Sequence, residues 1–357
     1  MNQNTTVMIK SGGLGDLLML TPALRAWRKS FPNERIVFFV GKSNRGVMAT
    51  NPHVDALEVF DDAVIFQGTR MEKLRETRAV IAAIRRHRPR RILVFHRDWR
   101  WNAMAWLAGA RERYGFRRDL DGRFLTHAID SSMDEHEIEK YRKLCGQREG
   151  FRPDGNIMDL FPEEGDAAAV DALLKGWDER PLVAVSPGGA ANVKEEMDLR
   201  RWPLARFREL MTALLAETEA NLVLLGGPGD RRFTEALHID ANRVLDLAGR
   251  TRIPQTGEVL RRCAVLVTHD SGPMHIGAAA AIPVIGLFGP THPAEKYPLT
   301  HPLSRYLWPG TELPCCPCYD NGVFPQCPID KECMRMITVE AVLGAVREIT
   351  TAAGTGP

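Results

Sequence analysis

The chain has 357 residues, of which 44% are hydrophobic and 26% charged, with seven cysteines and a formal net charge of +2. That length exceeds what one core usually organises and predicts two domains, and the balance of apolar and charged residues excludes a disordered chain or a disulfide-dense miniprotein. The near-neutral total hides an asymmetry: between Arg70 and Arg123 sixteen Lys or Arg stand against six Asp or Glu, a local excess of ten positive charges.

The opening MNQNTTVMIK lacks a basic segment followed by a long apolar run, so no secretory signal is expected. No apolar stretch reaches eighteen residues either; the segment from Ile276 to Phe288 is short, rich in Gly and Ala, and broken by Pro283. A cytoplasmic protein with no membrane span is the expectation.

In chain order, Thr6 to Lys10 reads as a buried strand, Ser11 to Gly15 as a tight turn, and Asp16 to Ser30 as a helix. Strands follow at 35–40, 57–60 and 91–95, with helices at about 69–87 and 99–109 between them. Regularity falls away between Asp119 and Glu179, where one helix-like stretch, 167–174, lies among prolines, and a domain boundary is placed there. A second series then begins, with strands at 182–186, 221–225, 244–247, 265–268 and 284–288. Alternation of this kind predicts an α/β fold of two Rossmann-like domains, each with a parallel sheet, facing a cleft. The expected boundaries are 1–165 for the first domain and 178–337 for the second. Residues 338–357, beginning with an amphipathic helix, are expected to pack back across the domains.

Ligands of open α/β sheets collect at the carboxyl ends of strands, so the turns there are the candidate sites. The turn from Lys10 to Asp16 brings glycines, Gly13 among them, close to a ligand and sets Asp16 at a helix start; it lacks the third glycine of a dinucleotide fingerprint. Asp16 is either a helix cap or a general base that takes a proton from an acceptor hydroxyl. Gly13, Arg97 and Arg100 are the acceptor-side candidates; the basic segment around the two arginines is either a solvated face or a surface for an anionic partner. Nucleic acid is not expected, because no binding motif accompanies the charge.

Ser186, Gly188 and Gly189 form the turn after the first strand of the second series, followed by Lys194 and by Arg200-Arg201-Trp202-Pro203. An arginine there suits a diphosphate; the alternative is a loop with Trp202 as a core anchor. Asp230 ends Gly226-Gly-Pro-Gly-Asp230, a geometry that can accept from ribose hydroxyls. Asp270, Ser271, Gly272 and His275 open a small-residue helix whose unpaired N–H groups form a phosphate site. Asp270 is alternatively a cap and His275 a satisfied core histidine. Thr291 follows Phe288-Gly-Pro on the same edge.

These residues resemble the heptosyltransferases of lipopolysaccharide core synthesis, glycosyltransferase family nine. The resemblance rests on Gly13-Leu-Gly-Asp-Leu-Leu-Met-Leu-Thr-Pro-Ala-Leu24, Arg201-Trp-Pro203, Asp270-Ser-Gly-Pro-Met-His275 and Leu287-Phe-Gly-Pro-Thr291, and covers nearly the whole chain. It implies a GT-B architecture, with 1–165 binding the acceptor and 178–337 the nucleotide sugar, inverting and metal-independent transfer, and ADP-heptose as donor, with an anionic glycolipid acceptor at the cytoplasmic face of the inner membrane. By the same resemblance Asp16 matches the catalytic base, Asp230 the acidic position near the ribose, and Ser271-Gly272 the diphosphate loop. Arg200 stands where relatives often have Lys, a departure that keeps the charge. The one Asp-x-Asp element, Asp119-Leu-Asp121, is read as chance placement. No cofactor is required on this reading.

Five cysteines, Cys315, Cys316, Cys318, Cys327 and Cys333, fall close together but match no standard zinc spacing. They read as a loop buttress, with a structural Zn or Fe left open. A nucleotide-sugar epimerase of the same architecture and a non-enzymatic two-domain sugar-binding protein are the competing functions.

Overall fold

A computed structural model describes residues 4–117, 119–130, 135–177, 180–193, 195–239, 242–298, 301–319 and 324–354, with backbone alone at 119–121, 311 and 353–354. The chain divides into two compact units. One comprises Met1–Phe161 with Asn192–Glu195, the other Pro162–Ala191 with Glu196–Pro357.

The first unit contains six strands: β1 (Thr5–Lys10), β2 (Arg35–Gly41), β3 (Ala56–Phe60), β4 (Arg91–Val94), β5 (Glu112–Arg117) and β6 (His127–Asp130). They form one parallel sheet in the order β3-β2-β1-β4-β5-β6. The second unit repeats the pattern with β7 (Leu182–Ser186), β8 (Asn221–Leu224), β9 (Val244–Asp246), β10 (Val265–His269), β11 (Val284–Leu287) and β12 (Arg305–Leu307), ordered β12-β11-β10-β7-β8-β9. Both are the doubly wound order, in which the first and fourth strands are parallel neighbours and the strand order runs outward in opposite directions from them. The crevices for ligands therefore lie beyond the carboxyl ends of β1 and β4 in one unit and of β7 and β10 in the other.

Helices cover the sheet faces, which is why the central strands are continuous apolar runs without alternation. Val7, Ile9, Val37, Ile92 and Val94 pack against Val80, Ile84 and Met104. In the second unit Val183, Leu222, Val265 and Ile285 share a core with Trp202, Phe207 and Leu214.

The structure corrects the chain-order reading in three places. The stretch after Asp119, expected to be irregular, contains β6 and the helix Glu137–Gly146, and with β5 before it these complete the first sheet. Polar residues hid them, because the outer strands of this sheet are only half buried. The edge strand β12 was missed for the same reason. The helix behind β1 begins at Leu14 with Gly13 at its N-cap, so Asp16 lies inside its first turn.

The helix Asp166–Leu173, within the stretch given to a boundary, belongs to the second unit. Its Asp166, fully buried, receives Arg252 Nη2 at 2.6 Å, and Asp171 receives Arg262 at 2.6 Å. The final helix, Val339–Gly354, packs within the same unit through Val342, Val346 and Ile349.

Candidate functional site

In the first unit the carboxyl ends of β1 and β4 are tied together. The backbone N–H of Ser11 donates to His96 Nε2 at 2.8 Å, and the His96 ring stacks on Trp101 at 4.5 Å. Gly12, at φ +103°, turns the chain in a conformation that disfavours side chains, and its carbonyl accepts from Asn44. This sets the helix Leu14–Ser30 with its N-terminus at the strand end.

Asp16 is the third residue of that helix and has 28% of its side chain exposed. It does not serve as the N-cap residue. Lys10 Nζ lies 3.6 Å from Asp16 Oδ2, donates to the Phe95 carbonyl at 3.0 Å, and sits 5.2 Å from the centre of the Tyr141 ring. Arg97, just past β4, donates to Glu137 Oε2 at 2.6 Å, and Lys140 Nζ is 3.6 Å from the same oxygen. Burial alone would lower the pKa of Arg97, but Glu137, Tyr141 and Asp16 outweigh it and raise it above its ordinary value. Asp16 thus stands among Lys10, Arg97, Lys140, Glu137 and Tyr141, three cations to two carboxylates.

Of the acceptor-side candidates, Gly13 and Arg97 are near Asp16. Arg100 is not used in this way: it points outward, two-thirds exposed, and pairs with Asp98 of its own turn at 2.6 Å. Glu137, Lys140 and Tyr141 escaped sequence reasoning because their helix did. Their spacing of three and four was the available signal, since it places all three on one helical face.

In the second unit, the turn after β7 presses on the turn after β10. Gly189 adopts φ +79°, and a Cβ there would stand 3.1 Å from Ser271 Cβ. Asp230 binds the neighbouring turns together by accepting from Gly189 N–H at 2.7 Å and from Gly227 N–H at 2.8 Å. A Cβ on Gly188 or Gly226 would meet Asp230 at 2.6 Å, so glycine is required at both positions. The carboxylate expected to face a ribose is therefore also a loop clamp, with one lone pair per oxygen remaining.

Asp270 does not cap the following helix, Gly272–Ala279; Ser271 occupies the N-cap position. The Asp270 carboxylate is buried, with Arg200 Nη1 at 3.4 Å and the Thr291 hydroxyl donating at 2.8 Å. Burial would raise its pKa, but Arg200, Lys296 and Thr291 prevail and hold it below the ordinary carboxylate value. Arg200 is 7% exposed, with the Tyr319 and Phe324 ring centres 5.1 and 5.2 Å from its guanidinium carbon. Its Nε is buried with no hydrogen-bond partner among the described residues, and the same holds for Ser186 Oγ. An unpartnered buried donor beside a helix N-terminus is the arrangement an anion completes.

The other candidates divide. His275 is 2% exposed inside the helix. Lys194 lies outside the described residues. Arg201, of the Arg201-Trp-Pro203 motif, donates to the Gly189 carbonyl through Nε at 3.1 Å and Nη2 at 2.8 Å, fixing the turn, while Trp202 is a core anchor whose indole N–H donates to the Ile337 carbonyl at 3.0 Å. His269, buried at the end of β10, has its pKa driven down to about 4 by burial.

The five clustered cysteines line one small cavity together with Leu199, Pro290, Pro328, Ile329 and Lys331. All are free thiols. Cys316 donates to the Gly289 carbonyl and Cys327 Sγ accepts from Lys331 N–H. Among the described residues no three His, Cys, Asp or Glu side chains stand in a metal-holding arrangement.

The chain is similar to known proteins over most of its length. Lipopolysaccharide heptosyltransferase 2 of Salmonella typhimurium is 24% identical over 308 residues, which cover 83% of this chain and 85% of that protein. Among solved structures, a glycosyl transferase family 9 protein of Veillonella parvula superposes with a TM-score of 0.79 at 20% identity, covering 97% of each chain. The E. coli ADP-heptose lipopolysaccharide heptosyltransferase II gives 0.77 at 21% identity, covering 99% of this chain and 100% of that one. These likenesses establish the two-unit GT-B fold. The model of glycosyltransferase family 9 (heptosyltransferase) matches residues 77–321, a span that holds the Arg200–Asp270 pair and the helix N-terminus beside it, and by that match the chain belongs to glycosyltransferase family 9, the heptosyltransferases.

Proposed function

We propose that this heptosyltransferase moves heptose from ADP-heptose to a lipopolysaccharide core acceptor by a single inverting displacement. Asp16 takes the proton of the acceptor hydroxyl as its oxygen attacks the anomeric carbon. The bond to the β-phosphate breaks, and ADP leaves with the electron pair. The negative charge gathering on the diphosphate is met by Arg200 and by the N–H groups at Ser271-Gly272. Ser186, Gly188 and Gly189 line the same phosphate-side turn, Asp230 turns its remaining lone pairs to the ribose, and Thr291 holds Asp270 in place. On the acceptor side, Gly13 allows close approach, and Lys10, Arg97 and Lys140 supply positive charge to an anionic sugar.

The observation that carries the donor assignment is the buried Nε of Arg200, which has no hydrogen-bond partner among the described residues, beside the N-terminus of Gly272–Ala279. Because side chains and a helix end supply the charge, no metal is assigned to the transfer step. Thiols are ligands that a structural Zn or Fe takes, but those of the cysteine cavity would hold one only if at least three drew together. Such an ion would buttress the loop and leave transfer to the residues named above. A cytoplasmic location with peripheral contact to the inner membrane belongs to the same reading, because its acceptor is a glycolipid core. No described helix is long and apolar enough to cross a membrane.

Calorimetric titration with ADP, UDP and GDP tests the donor assignment. ADP is expected to bind at least about tenfold more tightly than the others, a difference of about 1.4 kcal/mol. Equal affinities would contradict it.

A further inference from the structure

The helix Trp99–Ala108 is apolar on its buried side and, apart from Arg100, on its exposed side as well. It buries Trp101, Met104, Ala105 and Ala108 in the core of the first unit, as an amphipathic helix should. Its outer side should then be polar. Instead Trp99 is 55% exposed, Trp106 52% and Leu107 44%. Trp99 and Trp106 are seven residues apart, two turns along one stripe. Phe124 joins them, its ring centre 6.4 Å from Trp99 and 5.8 Å from Trp106.

Cations surround this ridge. The Arg123 guanidinium lies 5.1 Å from the centre of the Phe124 ring, and Arg85 donates twice to the Leu107 carbonyl, at 3.2 and 2.6 Å. Arg111 follows directly on the helix end. All three are exposed, and no described carboxylate lies within ion-pair distance of them. The neighbouring helix Arg70–Arg86 carries Met71, 74% exposed, and Leu74 on the stripe it shares with Arg85. Tryptophan favours the bilayer interface, where its ring is half apolar and its N–H is wet, and unpaired arginines favour anionic headgroups.

We propose that this aromatic ridge, with Arg85, Arg111 and Arg123 around it, seats the enzyme on an anionic lipid bilayer. The occupant is chosen by charge complementarity together with the glycolipid-acceptor reading above, on which this proposal rests for preferring a bilayer to another flat partner. The ridge inserts its rings at headgroup depth while the arginines meet lipid phosphates. None of the ridge residues is assigned to the transfer step, so their loss is expected to leave the chemistry intact.

The test is flotation of the full chain with phosphatidylglycerol–phosphatidylethanolamine vesicles and with phosphatidylcholine vesicles, without donor or acceptor. The wild-type chain should float with the anionic vesicles and not the neutral ones. The Trp99→Ser/Trp106→Ser double variant should lose at least about tenfold in apparent partitioning. So should Arg111→Glu/Arg123→Glu, which changes only exposed side chains and guards against misfolding of the first variant. Both should keep wild-type ADP affinity and wild-type turnover of a soluble, delipidated acceptor. Absence of wild-type binding to anionic vesicles, or unchanged binding by both variants, overturns the proposal. A wild-type dimer in solution that both variants dissolve also overturns it, assigning the ridge to a second copy. Because binding is read without substrates, loss of transfer with flotation intact counts against the catalytic reading alone. Absent flotation with soluble-acceptor turnover intact counts against the ridge alone.

Discussion

At Asp16 two roles competed, helix cap and base, and the position inside the first turn removes the capping role. Asp16→Asn is expected to lower kcat by about 10²–10⁴ while donor affinity stays within a few-fold, because a base acts on the acceptor proton and not on the nucleotide. Rapid-quench turnover with parallel ADP titration checks this; activity above a tenth of wild type would remove the role. Arg200 is a harder case, since it both faces the proposed diphosphate and neutralises buried Asp270. Arg200→Ala should weaken ADP by about 10–100-fold, as expected for one charge-assisted hydrogen bond, and should also lower Tm by stranding a buried carboxylate. Adding Asp270→Asn should restore Tm and leave ADP binding weak. If ADP affinity survives in the single variant, Arg200 serves Asp270 only. His269 gives a pH signature. Its pKa falls from 6.5 to about 4 on folding, so between those values the unfolded chain binds the extra proton. Stability from this group is complete above pH 6.5 and lost as pH falls towards 4, by about 3 kcal/mol. Asp270, held below its ordinary value, adds a loss in the same direction at lower pH. Urea unfolding of wild type and His269→Asn across this window should show the slope flattened in the variant.

Among the elements, the glycine turns carry the most information about donor geometry. Asp230 anchors two of them, so Asp230→Ala should lower Tm and ADP affinity together by freeing the amides of Gly189 and Gly227. A loss of affinity with Tm unchanged would mean that ribose is its only partner. The central strands were legible because β1, β7 and β10 each carry a short apolar run with glycine within three residues of its end, and the doubly wound order then fixes which turns face a ligand. The turns after β7, β8 and β10 were found on that signal, and the structure brings Gly189 against Ser271 and Asp230. What stayed hidden was peripheral or polar. The helix Glu137–Gly146 presents buried Glu137 and Lys140 as if they were solvent-facing, since a sequence does not reveal that two opposite charges bury each other. Arg100 was chosen for its closeness to β4, and the turn that pairs it with Asp98 carries it outward. Asp230 was read for a ligand because contacts between neighbouring turns are tertiary and leave no local pattern.

On the scale of the whole molecule, the repeated sheet order gives each unit one ligand-facing end, and the charge differs between them. The first unit holds the sixteen cations of the segment from Arg70 to Arg123. Exposed charges are screened over about 8 Å at physiological ionic strength, so rising salt should increase acceptor KM much more than donor KM. Transfer should persist in excess EDTA, with thermal stability followed alongside to register any ion lost from the cysteine cavity. The central claim is that the chain is an inverting heptosyltransferase drawing on ADP-heptose. Its most direct test is incubation of the purified chain with ADP-heptose and a heptose-free lipopolysaccharide core acceptor, followed by mass and linkage analysis of the product. The account predicts one added heptose with inverted anomeric configuration and one ADP released per transfer, and neither without acceptor. Donor turnover that needs no acceptor, or an acceptor recovered unchanged after ADP release, would contradict it.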